Sequence, residues 1–142
     1  MTSVERRITI GRPLERVWEF IHDPGNGPAW QASVVATSSD GPLALGTRGT
    51  EIRSFLGRRF ETSAEIVAFE HHRRSAVRVV SGPVPGASTY RFEPVDGGTR
   101  LTVVLELEGR ALRFAGPLAV RAIRRELDGN LAMLKALLEG GS

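Results

Sequence analysis

The longest periodic stretch of the chain is its C-terminal run, PLAVRAIRRELDGNLAMLKALLE, from about Pro117 to Glu139. Val120, Ile123, Leu127, Leu131, Leu134 and Leu138 recur at three- and four-residue steps, which aligns them as one stripe of an amphipathic helix. Roughly 23 residues at ~1.5 Å each make a rod of about 34 Å. A stripe that long needs a broad apolar partner, and the rest of the chain offers mainly strands. Val4, Ile8 and Ile10 alternate with polar residues and predict a first strand over about residues 3–11. Gly11-Arg12 ends it, and Pro13 suits the first position of a helix. Leu14, Val17, Trp18 and Ile21 then form one helical face, so Pro13–His22 reads as a short amphipathic helix stopped by Asp23-Pro24. Pro24–Trp30 (PGNGPAW) is turn-rich and holds at most another short helix. Ser33–Ser39 is a weak strand.

From Thr47 to Gly109 strand follows strand, and the turns set the register. Asp96-Gly97 at the centre of Val95–Gly98 is a two-residue type I′ hairpin signal. It pairs Phe92 with Leu101, Tyr90 with Val103 and Ser88 with Leu105, which puts the apolar residues of both strands on one face. Turn and pattern agree independently. A two-residue turn at His71-His72 places Phe60, Thr62, Ala64 and Ile66 on the face of Val77 and Val79, with Arg78 on the other. An even-length turn around Gly57 adds Glu51, Arg53 and Phe55 to that face, whereas a three-residue turn would bring Ile52 inward instead. Gly82–Gly86 is a longer loop. The order is strand, one or two short helices, about six antiparallel strands and a long helix. That is an α+β chain with helices on one face of a single meander.

Length and composition narrow the picture. The 142 residues fit one domain, 1–142, with a core that needs no staples. With no cysteine, disulfides and thiolate metal sites are excluded. The charged start, MTSVERRITI, lacks the apolar core of a secretory signal, and no apolar run approaches the ~20 residues of a membrane span. A cytoplasmic protein without membrane insertion is expected. The net charge of +3 raises the question of nucleic acid. Yet the arginine pairs Arg6-Arg7, Arg58-Arg59, Arg73-Arg74 and Arg124-Arg125 are scattered among carboxylates, and Lys135 is the only lysine. No nucleic-acid partner is expected.

Catalytic chemistry has few candidates. Neighbouring residues of a turn point apart, so His71 and His72 are not placed to share a metal and read as solvated; HxH and HExxH spacings are absent. There is no G-x-S-x-G elbow and no cysteine nucleophile. The glycine clusters lack the strand–loop–helix setting of a phosphate cradle. No metal and no cofactor are expected. Glu51 and Arg53 are the exception, with two readings open. Either they face the concave side, where Arg53 holds a carboxylate or enolate oxygen and Glu51 orients it or acts as acid/base, or the strand faces outward and both are solvated. Tyr90, whose phenol on an apolar face wants a partner, joins them as a catalytic candidate. Trp30, Arg53, Phe55, Tyr90, Phe92, Phe114 and Leu118 are the candidate ligand contacts. Gly109–Phe114, between Gly109 and Gly116, is a candidate gate into the long helix. Ala119, Ala122, Gly129, Ala132 and Ala136 give that helix a small-residue side, suited to close approach to the sheet or a ligand or, with Met133, to another subunit.

The segments RPLERVWEFIHDP with Trp30, LGTRG, YRFEPVDGGTRLT and LAMLKALLE, taken with this element order, resemble the START-like (SRPBCC) superfamily, in its polyketide cyclase/dehydrase-type branch. The resemblance covers nearly the whole chain through structural motifs. It implies a helix-grip fold: a curved antiparallel sheet of six to seven strands wrapped around the C-terminal helix, with a cavity between them. By resemblance, the expected function is binding of a small hydrophobic or amphipathic ligand, such as a lipid or polyketide. The alternatives are a polyketide aromatase/cyclase or dehydratase and a co-chaperone-like interaction module. Monomer and homodimer both remain open.

Overall fold

The structure, a computed structural model, describes residues 2–55, 57–109 and 118–140. Strand β1 (Thr2–Ile10) leads into α1 (Leu14–Ile21), a 3-10 turn at Pro24–Asn26 and the single helical turn α2 (Gly27–Trp30). Then come β2 (Val34–Ser39), β3 (Arg48–Phe55), β4 (Arg58–Glu70), β5 (Arg74–Ser81), β6 (Gly86–Val95) and β7 (Gly98–Leu107). The long helix α3 spans Leu118–Gly140. The seven strands form one antiparallel sheet in the order β1-β7-β6-β5-β4-β3-β2, so the first strand closes against the last. Pro13 stands just outside α1 as its cap rather than as its first residue, and its carbonyl accepts the Arg16 and Val17 amides.

The pairings expected around two of the turns are present. Phe92 lies opposite Leu101, Tyr90 opposite Val103 and Ser88 opposite Leu105. The Asp96-Gly97 turn is not type I′, however. Among the described residues His72 alone of the non-glycines has a positive φ, so of this pair only Gly97 (φ 81°) is left-handed. Phe55 pairs with Arg58 across a two-residue turn, which sets Arg53 opposite Phe60 and Glu51 opposite Thr62. The even-turn reading therefore holds.

The hairpin between β4 and β5 reaches its expected pairing by a different route. Glu70 pairs with Arg74, so the turn has three residues, His71 to Arg73, with His72 in the left-handed region at φ 63°. A bulge between Ile66 and Ala68 absorbs the extra residue, and Ile66 opposes Val77 and Ala64 opposes Val79, as a two-residue turn would give. The bulge also switches which residues point inward. Above it Phe69, paired with Ser75, turns toward the core and meets the edge of Trp18 at 5.4 Å.

The core gathers where α1 and α3 meet the sheet: Val4, Ile10, Val17, Trp18, Phe92, Leu101, Val103, Leu127, Leu131, Leu134 and Leu138 are buried together. Of the α3 stripe, Leu127 to Leu138 is in this core, while Val120 and Ile123 are only half-buried. The small-residue side is split. Ala119 is buried, but Gly129, Ala132 and Ala136 face outward beside the exposed Met133 and Leu137, so close approach to the sheet is not their role. The end of α3 is clasped to the β1–α1 corner. Lys135 Nζ donates to the Thr9 carbonyl (2.6 Å), Arg12 Nε to the Leu138 carbonyl (2.6 Å), and the Gly11 amide to Glu139 Oε2 (2.7 Å). The Lys135 ammonium and the Gly11 amide hold the Glu139 carboxyl below its usual range.

Candidate functional site

Beyond the packed half of α3 the sheet curves away, and a cavity of about 360 Å³ opens between them. This volume lies toward the lower end of the range for small-molecule sites. Its apolar wall comes from Phe55, Phe60, Ala64, Ile66, Val77 and Val79 on the sheet and Ile123 and Leu127 on α3, with Trp30 of α2 along one side. Period-two alternation supplies the sheet wall, because the paired strands β3, β4 and β5 turn every second residue inward in register.

The polar groups fall into two sets. In the first, Arg53 Nη2 donates to both Glu51 oxygens (3.1 and 3.4 Å) and Nη1 donates to Ser33 Oγ (2.9 Å). The Ser33 hydroxyl passes its own proton to Glu126 Oε2 (2.8 Å) on α3. One turn further along α3, Asn130 Oδ1 accepts the Ala32 amide (3.0 Å). The loop before β2 is thereby pinned to the helix. In the second set, His22 Nδ1 lies 2.8 Å from the Trp18 carbonyl, and Nε2 lies 2.8 Å from Ser75 Oγ. A carbonyl only accepts, so Nδ1 carries the hydrogen and the neutral ring takes the Ser75 proton at Nε2. Burial pushes the His22 pKa down, opposed by the Trp18 carbonyl and reinforced by His71. The ring stacks on Trp18 at 3.9 Å.

Tyr90 stands between the two sets on β6. Protein walls it in, yet it keeps accessible surface, as expected of a side chain on a cavity wall. Burial pushes its phenol up to about 12, with Arg53 pulling down and Glu51 pushing up. The Trp30 ring meets Tyr90 edge-on at 6.4 Å. Among the described residues nothing hydrogen-bonds the hydroxyl.

Of the residues singled out in the sequence, Trp30, Glu51, Arg53, Phe55 and Tyr90 line this one cavity. Phe92 does not. It points inward as expected but lies under Trp18, 4.9 Å away, in the packed core. Leu118 is 71% exposed, on a shallow surface depression with Arg121, Ala122 and Arg125. Phe114, and with it most of the candidate gate, lies outside the described residues. His71 and His72 do not point apart. The left-handed backbone at His72 brings their rings within 3.9 Å of each other, beside Trp18. Among the described residues no three His, Asp or Glu side chains are grouped to hold a metal ion. Sequence reasoning missed Ser33, Ser75, His22, Glu126 and Asn130. For the last two a signal existed, since each immediately precedes a stripe leucine (Leu127, Leu131) and shares its side of α3.

A curved antiparallel sheet gripping a long C-terminal helix over a cavity is the START-like, helix-grip arrangement. Solved structures share it closely. A protein from Thermus thermophilus superposes with a TM-score of 0.81 at 20% identity, covering 99% of each chain. One from Mesorhizobium loti gives 0.76 at 18% identity, again over 99% of each. The Aha1 dimer from Colwellia psychrerythraea gives 0.73 at 15% identity, over 100% of this chain and 99% of that one. At such identities the likeness is one of fold. Among curated proteins none matches. The chain belongs to the polyketide cyclase / dehydrase and lipid transport family, whose model matches residues 1–139. No helix among the described residues is long and apolar enough to cross a membrane.

Proposed function

We propose that this protein binds a small hydrophobic or amphipathic molecule in the cavity between sheet and α3. The observation that carries this reading is the unpartnered Tyr90 hydroxyl on an otherwise largely apolar wall. A few oriented polar groups in an apolar cavity fix a ligand's pose while burial supplies its affinity. At about 25 cal/mol per Å² of apolar surface removed from water, a ligand burying roughly 200 Å² gains on the order of 5 kcal/mol before ordering costs. Native mass spectrometry of purified protein is expected to reveal a co-purifying small molecule, or to show uptake of added medium-chain amphiphiles at one per chain. Binding of none, with the fluorescence of the protein's two tryptophans unmoved, would remove this reading.

A second reading is supported by the shared wall of Glu51, Arg53 and Tyr90: cyclisation or dehydration of a polyketide. In it the neutral Tyr90 phenol donates to a developing enolate oxygen, the Arg53 charge stabilises that oxygen, and Glu51 moves the proton. Deuterium exchange at the activated carbon of a β-keto thioester tests it. Catalysed exchange lost in both Tyr90→Phe and Glu51→Gln is expected, and no exchange above buffer rejects it.

A further inference from the structure

We infer that the ligand presents a hydrogen-bond donor at its polar end, an ammonium or a hydroxyl, and not a carboxylate. This rests on the cavity being the binding site and goes on to its charge. Among the described lining residues Asp23, Glu51 and Glu126 are carboxylates, and Arg53 is the one cationic side chain. Arg53 is already engaged: its guanidinium is paired with Glu51 and donates to Ser33. Ser33 turns its proton toward Glu126, and the Arg53 charge is matched by Glu51, while both carboxylates keep lone pairs to spare.

Counting charges among the described lining residues, Glu51 cancels Arg53 and Glu126 is left unbalanced. His22 adds no positive charge, because its ring is neutral and both its nitrogens are occupied. Asp23 sits at the exposed edge, where its Oδ1 accepts the Gly25 amide (3.0 Å), and adds a further negative charge there. Tyr90, walled in and facing the space, is the independent sign that a polar ligand atom belongs here: its hydroxyl can accept from a donor or donate to an oxygen. An incoming carboxylate would meet Glu126 and Glu51 with the Arg53 charge already matched by Glu51. An incoming ammonium meets unspent acceptors. At an effective dielectric near 20, one unbalanced charge within about 8 Å separates the two by at least roughly tenfold in affinity.

Three probes with one chain length test this: decan-1-amine (as the ammonium at pH 7), decan-1-ol and decanoate, each below its micelle concentration. Titration calorimetry is read alongside tryptophan fluorescence of a Trp18→Phe background, in which Trp30 is the single reporter. The amine and the alcohol are expected to bind, with decanoate weaker than the amine by about tenfold or more. Glu126→Gln, which still accepts the Ser33 proton, is expected to lower the amine-to-decanoate ratio by about tenfold. Decanoate binding as tightly as the amine would overturn the donor assignment while leaving the cavity reading intact. A ratio unchanged in Glu126→Gln would overturn the role given to that charge. Failure of all three probes would reject the cavity reading itself, and the assignment with it.

Discussion

The chain contains one tyrosine, so its alkaline absorbance titration reports a single wall position of the cavity. The ordinary phenol value is 10.0, and burial pushes Tyr90 up to about 12. Phenolate formation followed at 295 nm should therefore show a midpoint near 12 in the folded protein and near 10 in denaturant. The linkage runs in a definite direction. The folded pKa is raised, so this group's contribution to stability is complete below pH 10 and is lost as pH rises from 10 to 12. At about 1.36 kcal/mol per pH unit, the total is on the order of 2.7 kcal/mol. Two substitutions separate burial from charge. Glu51→Gln removes a neighbouring negative charge and should lower the midpoint, whereas Arg53→Met removes the opposing positive charge and should raise it. Far-UV circular dichroism recorded on the same samples identifies the pH range in which the protein stays folded. A midpoint near 10 in protein that is still folded would refute the placement of Tyr90 in a walled cavity. Insensitivity to both substitutions would refute its proximity to the ion pair.

Other outcomes follow from the same structure. His22 is held neutral by burial, so below its ordinary value of 6.5 the unfolded chain takes up a proton before the folded one does. Denaturant midpoints should accordingly fall as pH drops below about 6.5, by at most ~1.4 kcal/mol per pH unit, and the slope should shrink in His22→Gln. One substitution at two glycines should have opposite signs. Gly129→Ala, with open space around an exposed helical site, should raise Tm by roughly 2–4 °C, whereas Gly98→Ala would set its new carbon on the Ile10 carbonyl oxygen and destabilise. Leu134 is fully buried on α3, and Leu134→Ala should cost about 2–5 kcal/mol by chemical denaturation.

Much of this architecture was legible because two periodicities and a few turns suffice to place it. The step of three and four along α3 gave its buried stripe. Turn parity at Gly57 decided between inward Glu51 and Arg53 and inward Ile52. What alternation cannot say is what an inward side chain meets. Tyr90 and Phe92 are two residues apart on the same face of β6, yet Phe92 lies under Trp18 and Tyr90 borders empty space, because α1 covers only one end of the sheet. The Ser33–Glu126 contact joins residues 93 positions apart and needs the loop before β2 to reach α3, which no local pattern encodes. The histidine pair was misread for a local reason: the expectation that neighbours point apart assumes ordinary backbone, and His72 is left-handed.

The three-residue turn at His71–Arg73 and the bulge near Val67 each displace the β4–β5 pairing by one residue, and together they cancel. For the history of such a gene the consequence is that each place can lose its extra residue without moving the wall. Removing the codon for Val67 would close the bulge with Ile66 still opposite Val77 and Phe69 still opposite Ser75, and removing one turn codon would leave Glu70 opposite Arg74 across a two-residue turn. A codon lost from β5 between Arg74 and Val77 has no such slack, because it would carry the residues on one side of the loss to the opposite face of the sheet. Deletions in this hairpin should therefore be tolerated at the bulge and at the turn, as in the Gly82–Gly86 loop, and be far rarer between Arg74 and Val77.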